Sequence, residues 1–326
     1  MLAEERVRTI LIFGISSFVG SSLAEFFKKD FKVVGTYFSS PITLPGVLTV
    51  PCDVLNKDEV QLVLFAFKPD FAIYCAGLSS VQECATSEEM ADALNTSGLF
   101  NVAEFCQRYK AQLCYISSSY VFGGEERKYI EMDIPDANTT YGKTQAAAEF
   151  YVQKTSLNYV IFRCCRLYGR SLFPNRPNFF ESLQMRLRSG SSVPCDNFIK
   201  TGFLDVHYLA MVMKICFEQG VTNRLLQVST HDVLSFYDFA QNYCRIFGDS
   251  SDLVSRGKWH FPINSDQSHR APTENFSYRM DLSNIEGFLN IKMPTIEESL
   301  SYSFKRMNGH AKPAGRGKKG EGITFI

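Results

Sequence analysis

The chain has 326 residues, 45% of them apolar and 21% charged. That is enough apolar material to bury one large core and a smaller lobe, which excludes an intrinsically disordered protein. The 34 basic and 34 acidic side chains cancel, so no global field selects nucleic acid or an anionic membrane surface.

Ten cysteines lie scattered, with no C-x-x-C pair, and are expected to be reduced, mostly buried thiols. The first apolar run, Thr9 to Phe13, is too short for a signal segment or a membrane span. The cytoplasm is the expected location, with no membrane partner.

Short apolar runs then alternate with helical patterns, the signature of a parallel sheet with crossover helices. The strand candidates are Ile10–Phe13, Lys32–Thr36, Leu48–Val50, Phe71–Cys75, Leu113–Ser117 and Tyr159–Arg163. Thr86-Ser87-Glu88-Glu89 has capping-box form, and Leu99, Val102, Ala103 and Cys106 recur at helical spacing. A long helix is therefore expected from about Ser87 to Arg108. The fold class is α/β, a Rossmann-type doubly wound parallel sheet over residues 1–169, completed by segments within 200–235. Beyond Gly169, prolines break the alternation, as expected of a substrate lobe over 170–308. Residues 309–326, rich in glycine and lysine, read as a disordered tail.

Gly14-Ile15-Ser16-Ser17-Phe18-Val19-Gly20 follows the first strand and opens a helix. In that context a glycine-rich turn is a candidate pyrophosphate site, with backbone N–H groups and the helix dipole drawing the anion. The middle position of G-x-x-G-x-x-G is Ser17. Its Cβ crowds the phosphates or its hydroxyl bonds to one, and the residues leave both open. Phe31 to Cys52 contains no Asp or Glu to hold a ribose 2′-OH. Gly35 to Ser40, with Tyr37 and Ser39, leaves room for a 2′-phosphate but offers no arginine, so NADP(H) is favoured and NAD(H) remains possible. Asp53 with Val54, after the third strand, could take the adenine amino group. Ala76-Gly77 could admit the cofactor ribose. Each is otherwise a cap or a tight turn.

Asn95, Ser117-Ser118-Ser119-Tyr120-Val121-Phe122, Tyr141-Gly142-Lys143-Thr144, Asn178-Phe179 and Arg270-Ala271-Pro272 follow in order along the chain. Together with the glycine turn they resemble the extended short-chain dehydrogenase/reductase family, in its dTDP-4-dehydrorhamnose reductase-like branch, over nearly the whole chain. The resemblance implies hydride transfer to the keto carbon of a nucleotide-linked sugar. Tyr141 would give the proton and Ser118 would hold the developing alkoxide. It further implies cofactor contacts at Gly14, Ser16, Ser17, Phe18, Val19, Gly20 and Asn95, substrate contacts at Ser119, Tyr120, Asn178, Phe179 and Arg270, and a homodimer through the long helix and the one after Tyr141.

Three departures stand at functional positions: Ser17, Ser119 where the branch has an aspartate, and Gln145 where it has a lysine. Gln145 can still hold a ribose hydroxyl, but it brings no cation to lower the tyrosine pKa from about 10. That handicaps oxidation more than reduction, which starts from the neutral phenol. Lys143 lies two residues from Tyr141, on nearly the opposite side of a helix, and is expected to face solvent. At least one of Arg163 and Arg166 is expected to be structural.

The five histidines lack ligand spacing, so no metal is expected. No G-x-S-x-G and no G-x-x-x-x-G-K-[ST] occurs, against hydrolase and nucleotide triphosphatase readings. The leading expectation is an NADP(H)-dependent reductase of a nucleotide-linked 4-keto sugar. The alternatives are a catalytically impaired dinucleotide-binding relative serving as a regulatory or structural subunit, and a sugar-nucleotide epimerase or dehydratase.

Overall fold

The computed structural model describes residues 6–172, 177–257 and 275–309, and the backbone of 324–325. Strands β1 (Thr9–Phe13), β2 (Lys32–Tyr37), β3 (Leu48–Pro51), β4 (Phe71–Tyr74), β5 (Gln112–Ser118), β6 (Tyr159–Cys164) and β7 (Arg224–Val228) form one seven-stranded sheet. Its order is β7-β6-β5-β4-β1-β2-β3, and every pairing is parallel. β7 forms one edge of the sheet. The direction of winding reverses between β1 and β4, which opens a crevice beyond their carboxyl ends.

Burial on both faces explains why these strands read as near-continuous apolar runs. Ile10, Ile12, Ile73 and Phe162 point to one side. There they meet helices α1 (Phe18–Phe27) and α7 (Val206–Gln219). Leu11, Phe13, Tyr74 and Leu113 point to the other. That side is covered by α2 (Lys57–Phe67), α4 (Glu88–Tyr109) and α5 (Thr140–Thr155). Polar residues set where helices start: Ser17 caps α1, Asn56 caps α2 and Thr139 caps α5.

The predicted capping box at Thr86 to Glu89 is absent. A short helix, α3 (Val81–Thr86), begins one turn earlier on Ser80, and Ser87 makes no side-chain cap bond. The long helix itself is present as α4, but Ala93–Ser97 is wound as a π-helix. Such bulges often accompany functional sites.

The lobe packs α6 (Phe179–Arg188), α8 (Phe236–Phe247) and α10 (Ile296–Met307) around Phe180, Leu183, Phe203, Phe239 and Tyr243. A four-stranded sheet of Leu234–Ser235, Ile199–Thr201, Phe276–Met280 and Lys128–Tyr129 borders it. The two halves interleave: Lys128–Tyr129 belongs to the lobe sheet, while Ile285 and Leu289 of α9 (Ser283–Leu289) enter the core of the large sheet.

A buried polar knot also joins them. Asp205 is fully buried, its Oδ1 accepting from the His207 N–H at 2.9 Å and its Oδ2 from the Ser303 hydroxyl and from Arg306 Nη2 at 2.8 Å. Ser299 Oγ accepts from the Asp205 N–H at 2.9 Å and lies 2.8 Å from Tyr168 Oη. In the tail, Thr324–Phe325 pairs antiparallel with Ile291–Lys292.

Candidate active site

At the nucleotide end, Gly14 follows β1 with φ +81°, and a Cβ there would stand 2.6 Å from the Ala76 nitrogen. Only glycine lets the turn after β1 lie this close to the turn after β4. Phe18 and Val19 open α1, so their N–H groups have no acceptor within the helix and face whatever occupies the turn. These residues fit a dinucleotide pyrophosphate.

Ser17 resolves differently from both sequence options. Its hydroxyl accepts from the Gly20 N–H at 3.0 Å and donates to the Gly14 carbonyl at 2.8 Å, so it is spent on capping α1. Ser16 donates to the Ser40 carbonyl and ties the second turn to the first. Tyr37 is half-buried against the sheet core, whereas Phe38, Ser39 and Ser40 are exposed. Asp53 Oδ1 accepts from the Leu55 N–H at 2.9 Å, the local turn of the blander reading. Val54 is a core residue, and its carbonyl accepts from Asn101 Nδ2 at 3.0 Å.

Asn95, buried within the π-helical stretch, braces the turn after β4. Its Oδ1 accepts from the Leu78 N–H at 2.9 Å, and its Nδ2 donates to the Leu78 carbonyl and to Thr144 Oγ1, each at 3.1 Å. It thereby fixes Ala76-Gly77 relative to α5. Its side chain is committed inside the protein, so its contribution to a cofactor site is positional.

Ser118 ends β5 and Tyr141 is the second residue of α5. They meet because Gly142 lets α5 seat on the 3-10 turn Ser119–Val121: a Cβ at Gly142 would lie 2.0 Å from the Tyr120 carbonyl. Burial pushes the Tyr141 phenol well above its ordinary pKa, and the hydrogen bond with Ser118 pulls it partly back. Tyr141 in the first turn of α5 thus stands beside Ser118 at the end of β5.

Gln145 lies one helical turn beyond Tyr141 and is buried. Tyr115 Oη donates to its Oε1 at 2.6 Å, leaving the amide N–H donors outside that bond. Lys143 is exposed, as expected. One further turn along α5, Glu149 takes Arg163 in a fully buried, two-pronged pair at 2.9 and 2.5 Å. Arg163 is the structural arginine, and its charge is already matched.

Of the predicted substrate contacts, Ser119 and Tyr120 are buried beside Ser118, and the Tyr120 and Tyr141 rings meet edge-on with centroids 6.2 Å apart. Asn178 caps α6, its Oδ1 accepting from the Glu181 N–H at 3.1 Å and its Nδ2 donating to the Gly169 carbonyl at 2.9 Å. Phe179 packs in the lobe core. Both can shape a wall, but Asn178 is committed to the cap. Arg270 lies outside the described residues.

Sequence reasoning missed Tyr115, the partner of Gln145, and named Thr144 only within the Tyr141 motif, not as the partner of Asn95. Tyr115 sits in a run whose pattern signals only a core strand. Among the described residues, no group of three His, Cys, Asp or Glu is arranged to hold a metal ion, and no helix is long and apolar enough to cross a membrane.

A glycine turn at the winding reversal of a parallel sheet, with a serine and tyrosine converging at the ends of β5 and α5, defines an extended short-chain dehydrogenase/reductase. More narrowly, the chain belongs to the RmlD substrate binding domain family, whose model matches residues 8–308.

A probable low-salt glycan biosynthesis reductase of Haloferax volcanii is 24% identical over 291 residues, 88% of this chain and 94% of that protein. Bovine methionine adenosyltransferase 2 subunit beta is 31% identical over 173 residues, covering 52% of this chain and 51% of that one. The chain therefore matches about half the length of that relative. The crystal structure of dTDP-4-dehydrorhamnose reductase from Bacillus anthracis, in complex with NADP, superposes with a TM-score of 0.78 at 20% identity, covering 92% of this chain and all of that one.

Proposed function

We propose that the protein is an NADP(H)-dependent reductase of a nucleotide-linked 4-keto sugar, with Tyr141 as proton donor, Ser118 as the partner of the developing alkoxide, and Gln145 in place of the usual lysine. The observation that carries this reading is the placement of Ser118 at the end of β5 beside Tyr141 in the first turn of α5, with Ser118 acting on the phenol. The reduced nicotinamide supplies the hydride. The chain's part is to hold the carbonyl oxygen between two hydroxyls and to deliver a proton from Tyr141 Oη. A phenol kept neutral by burial is already in the state that reduction needs, so loss of the cation spares this direction. NADP(H) is favoured over NAD(H) because the stretch after β2 carries no carboxylate to repel a 2′-phosphate.

Gln145 contributes through its amide N–H groups, which can donate to a ribose hydroxyl while Tyr115 holds the other end of the amide. Titration with NADPH and NADH by fluorescence tests cofactor binding, and turnover of a dTDP-linked 4-keto-6-deoxyhexose tests activity. NADPH binding with turnover that collapses in Tyr141→Phe is the expected result.

A second reading, a dinucleotide-binding subunit without catalysis, is favoured by one observation: Gln145 stands one helical turn from Tyr141, where the family pattern has a lysine. It predicts NADPH binding with no turnover in either the wild type or Gln145→Lys.

A further inference from the structure

Beside Ser118 and Tyr141 lies a set of polar groups that the protein does not pair for itself. Tyr120 is 6% exposed, and its hydroxyl engages only the Arg166 guanidinium, without a well-formed hydrogen bond. Asp196 is fully buried. Its Oδ1 accepts from the Ile199 and Phe198 N–H groups at 2.8 and 3.2 Å, while its Oδ2 accepts nothing.

Arg166 is half-buried and forms no ion pair among the described residues. Its guanidinium lies 5.0 Å from the Phe236 ring centroid and 5.8 Å from that of Phe179. Arg166 and Asp196 both act on the Tyr120 phenol: burial raises it, Arg166 draws it down through its charge and a hydrogen bond, and Asp196 adds to the upward push.

Buried polar groups in native proteins are almost always paired. An orphaned carboxylate oxygen, a phenol without a well-formed partner and a guanidinium without an ion pair, acting on a ring that meets Tyr141, therefore mark a place that a polar ligand completes. The two aromatic faces hold the guanidinium plane in register for directional donation. Because the Arg166 and Asp196 charges oppose one another, a neutral ligand leaves the pocket balanced. A further carboxylate would put uncompensated negative charge into a buried site.

We propose that Arg166, Tyr120 and Asp196 form a sugar-reading subsite in which a neighbouring hydroxyl pair of a glycosyl ring accepts from Arg166 and Tyr120 and donates to Asp196. The inference rests on the nucleotide-sugar reading above and narrows it to a neutral, hydroxylated ring rather than a uronate. Arg166 thereby becomes the residue that sets sugar specificity, while Tyr141 and Ser118 carry the chemistry.

Calorimetric titration of the full chain tests this with UDP-glucose, dTDP-glucose, UDP-glucuronate, the free nucleoside diphosphates and NADPH as probes. The expected result is that at least one glucosyl nucleotide binds about tenfold or more tighter than its free diphosphate, the loss anticipated for hydrogen bonds to charged groups. UDP-glucuronate should bind more weakly than UDP-glucose. Arg166→Met should erase the glucosyl advantage while leaving the free diphosphate and NADPH unchanged, and Asp196→Asn should reduce it.

If Arg166→Met weakens the free diphosphate as much as the glucosyl form, the cation serves phosphates and the inference is overturned. Tighter binding of UDP-glucuronate in the wild type, lost in Arg166→Met, overturns it in favour of a carboxylate. Unchanged glucosyl binding in the variant sinks this inference alone. NADPH binding without any sugar nucleotide sinks the reductase reading with it.

Discussion

Gln145→Lys restores a cation one helical turn from Tyr141, and its consequences can be worked out in advance. Side chains at that spacing have Cβ atoms about 5–6 Å apart. At a charge separation of about 5 Å and an effective dielectric near 20, an ammonium stabilises the phenolate by about 3 kcal/mol, roughly two pKa units. In the wild type, burial holds the phenol above its ordinary value, so reduction should be flat with pH to about 10 and alcohol oxidation should still be rising there. The lysine variant should move the oxidation limb down by about two units. The same variant removes the acceptor of the buried Tyr115 hydroxyl, costing about 1–3 kcal/mol, which Tyr115→Phe in the same chain should relieve. The assays are pH–rate profiles in both directions, ultraviolet difference titration of tyrosine ionisation, which needs no turnover, and urea denaturation of the single and double variants. A lysine variant whose phenol titrates with the wild type would refute the electrostatic account. Unchanged stability would refute the role given to Tyr115.

Three further outcomes are expected. Glu149→Gln strands the Arg163 guanidinium in the core and should cost about 3–5 kcal/mol in urea denaturation, whereas replacing both partners, Arg163→Met with Glu149→Leu, should recover most of it; equal losses in both would count against the pair. Burial holds the His207 imidazole down to about 4 from its usual 6.5, so the unfolded chain binds a proton that the folded one refuses. Stability should then fall as pH drops from 6.5 towards 4, and His207→Gln should flatten that slope in thermal melts taken at each pH. Ser17→Ala should cost about 1 kcal/mol through the lost cap of α1 yet leave the NADPH Kd within about twofold, since its hydroxyl is engaged inside the turn; a tenfold weaker Kd would return that hydroxyl to the phosphate.

The sheet was legible because buried parallel strands are apolar on both faces, and each of the first six was placed to within a residue or two. The glycine turn and the Ser118–Tyr141 pair were legible because their spacing follows from where strands end and helices begin. The capping box at the start of the long helix was not. Thr86 has an acid three residues on, but the chain had already turned helical at Val81 and Thr86 ends that short helix, while Ser87 makes no side-chain cap bond. The π-helical stretch was invisible because it depends on Asn95 being drawn to Leu78 and Thr144, the latter 49 residues away. Arg163 could be suspected as structural from its position at a strand end, but its partner Glu149 emerges only when α5 lies across β6. The commitment of Ser17 to its own helix was likewise hidden, since a capping serine and a phosphate-binding serine look alike in a sequence.

The knot around Asp205 has a bearing on how the chain is made. Its carboxylate is locked by Ser303 and Arg306 from α10, about a hundred residues downstream. During synthesis the strand and helix that Asp205 joins emerge long before the groups that neutralise it. A nascent chain short of Arg306 must keep this acid hydrated or shielded, so the bonds around Asp205 are complete only once α10 has left the ribosome.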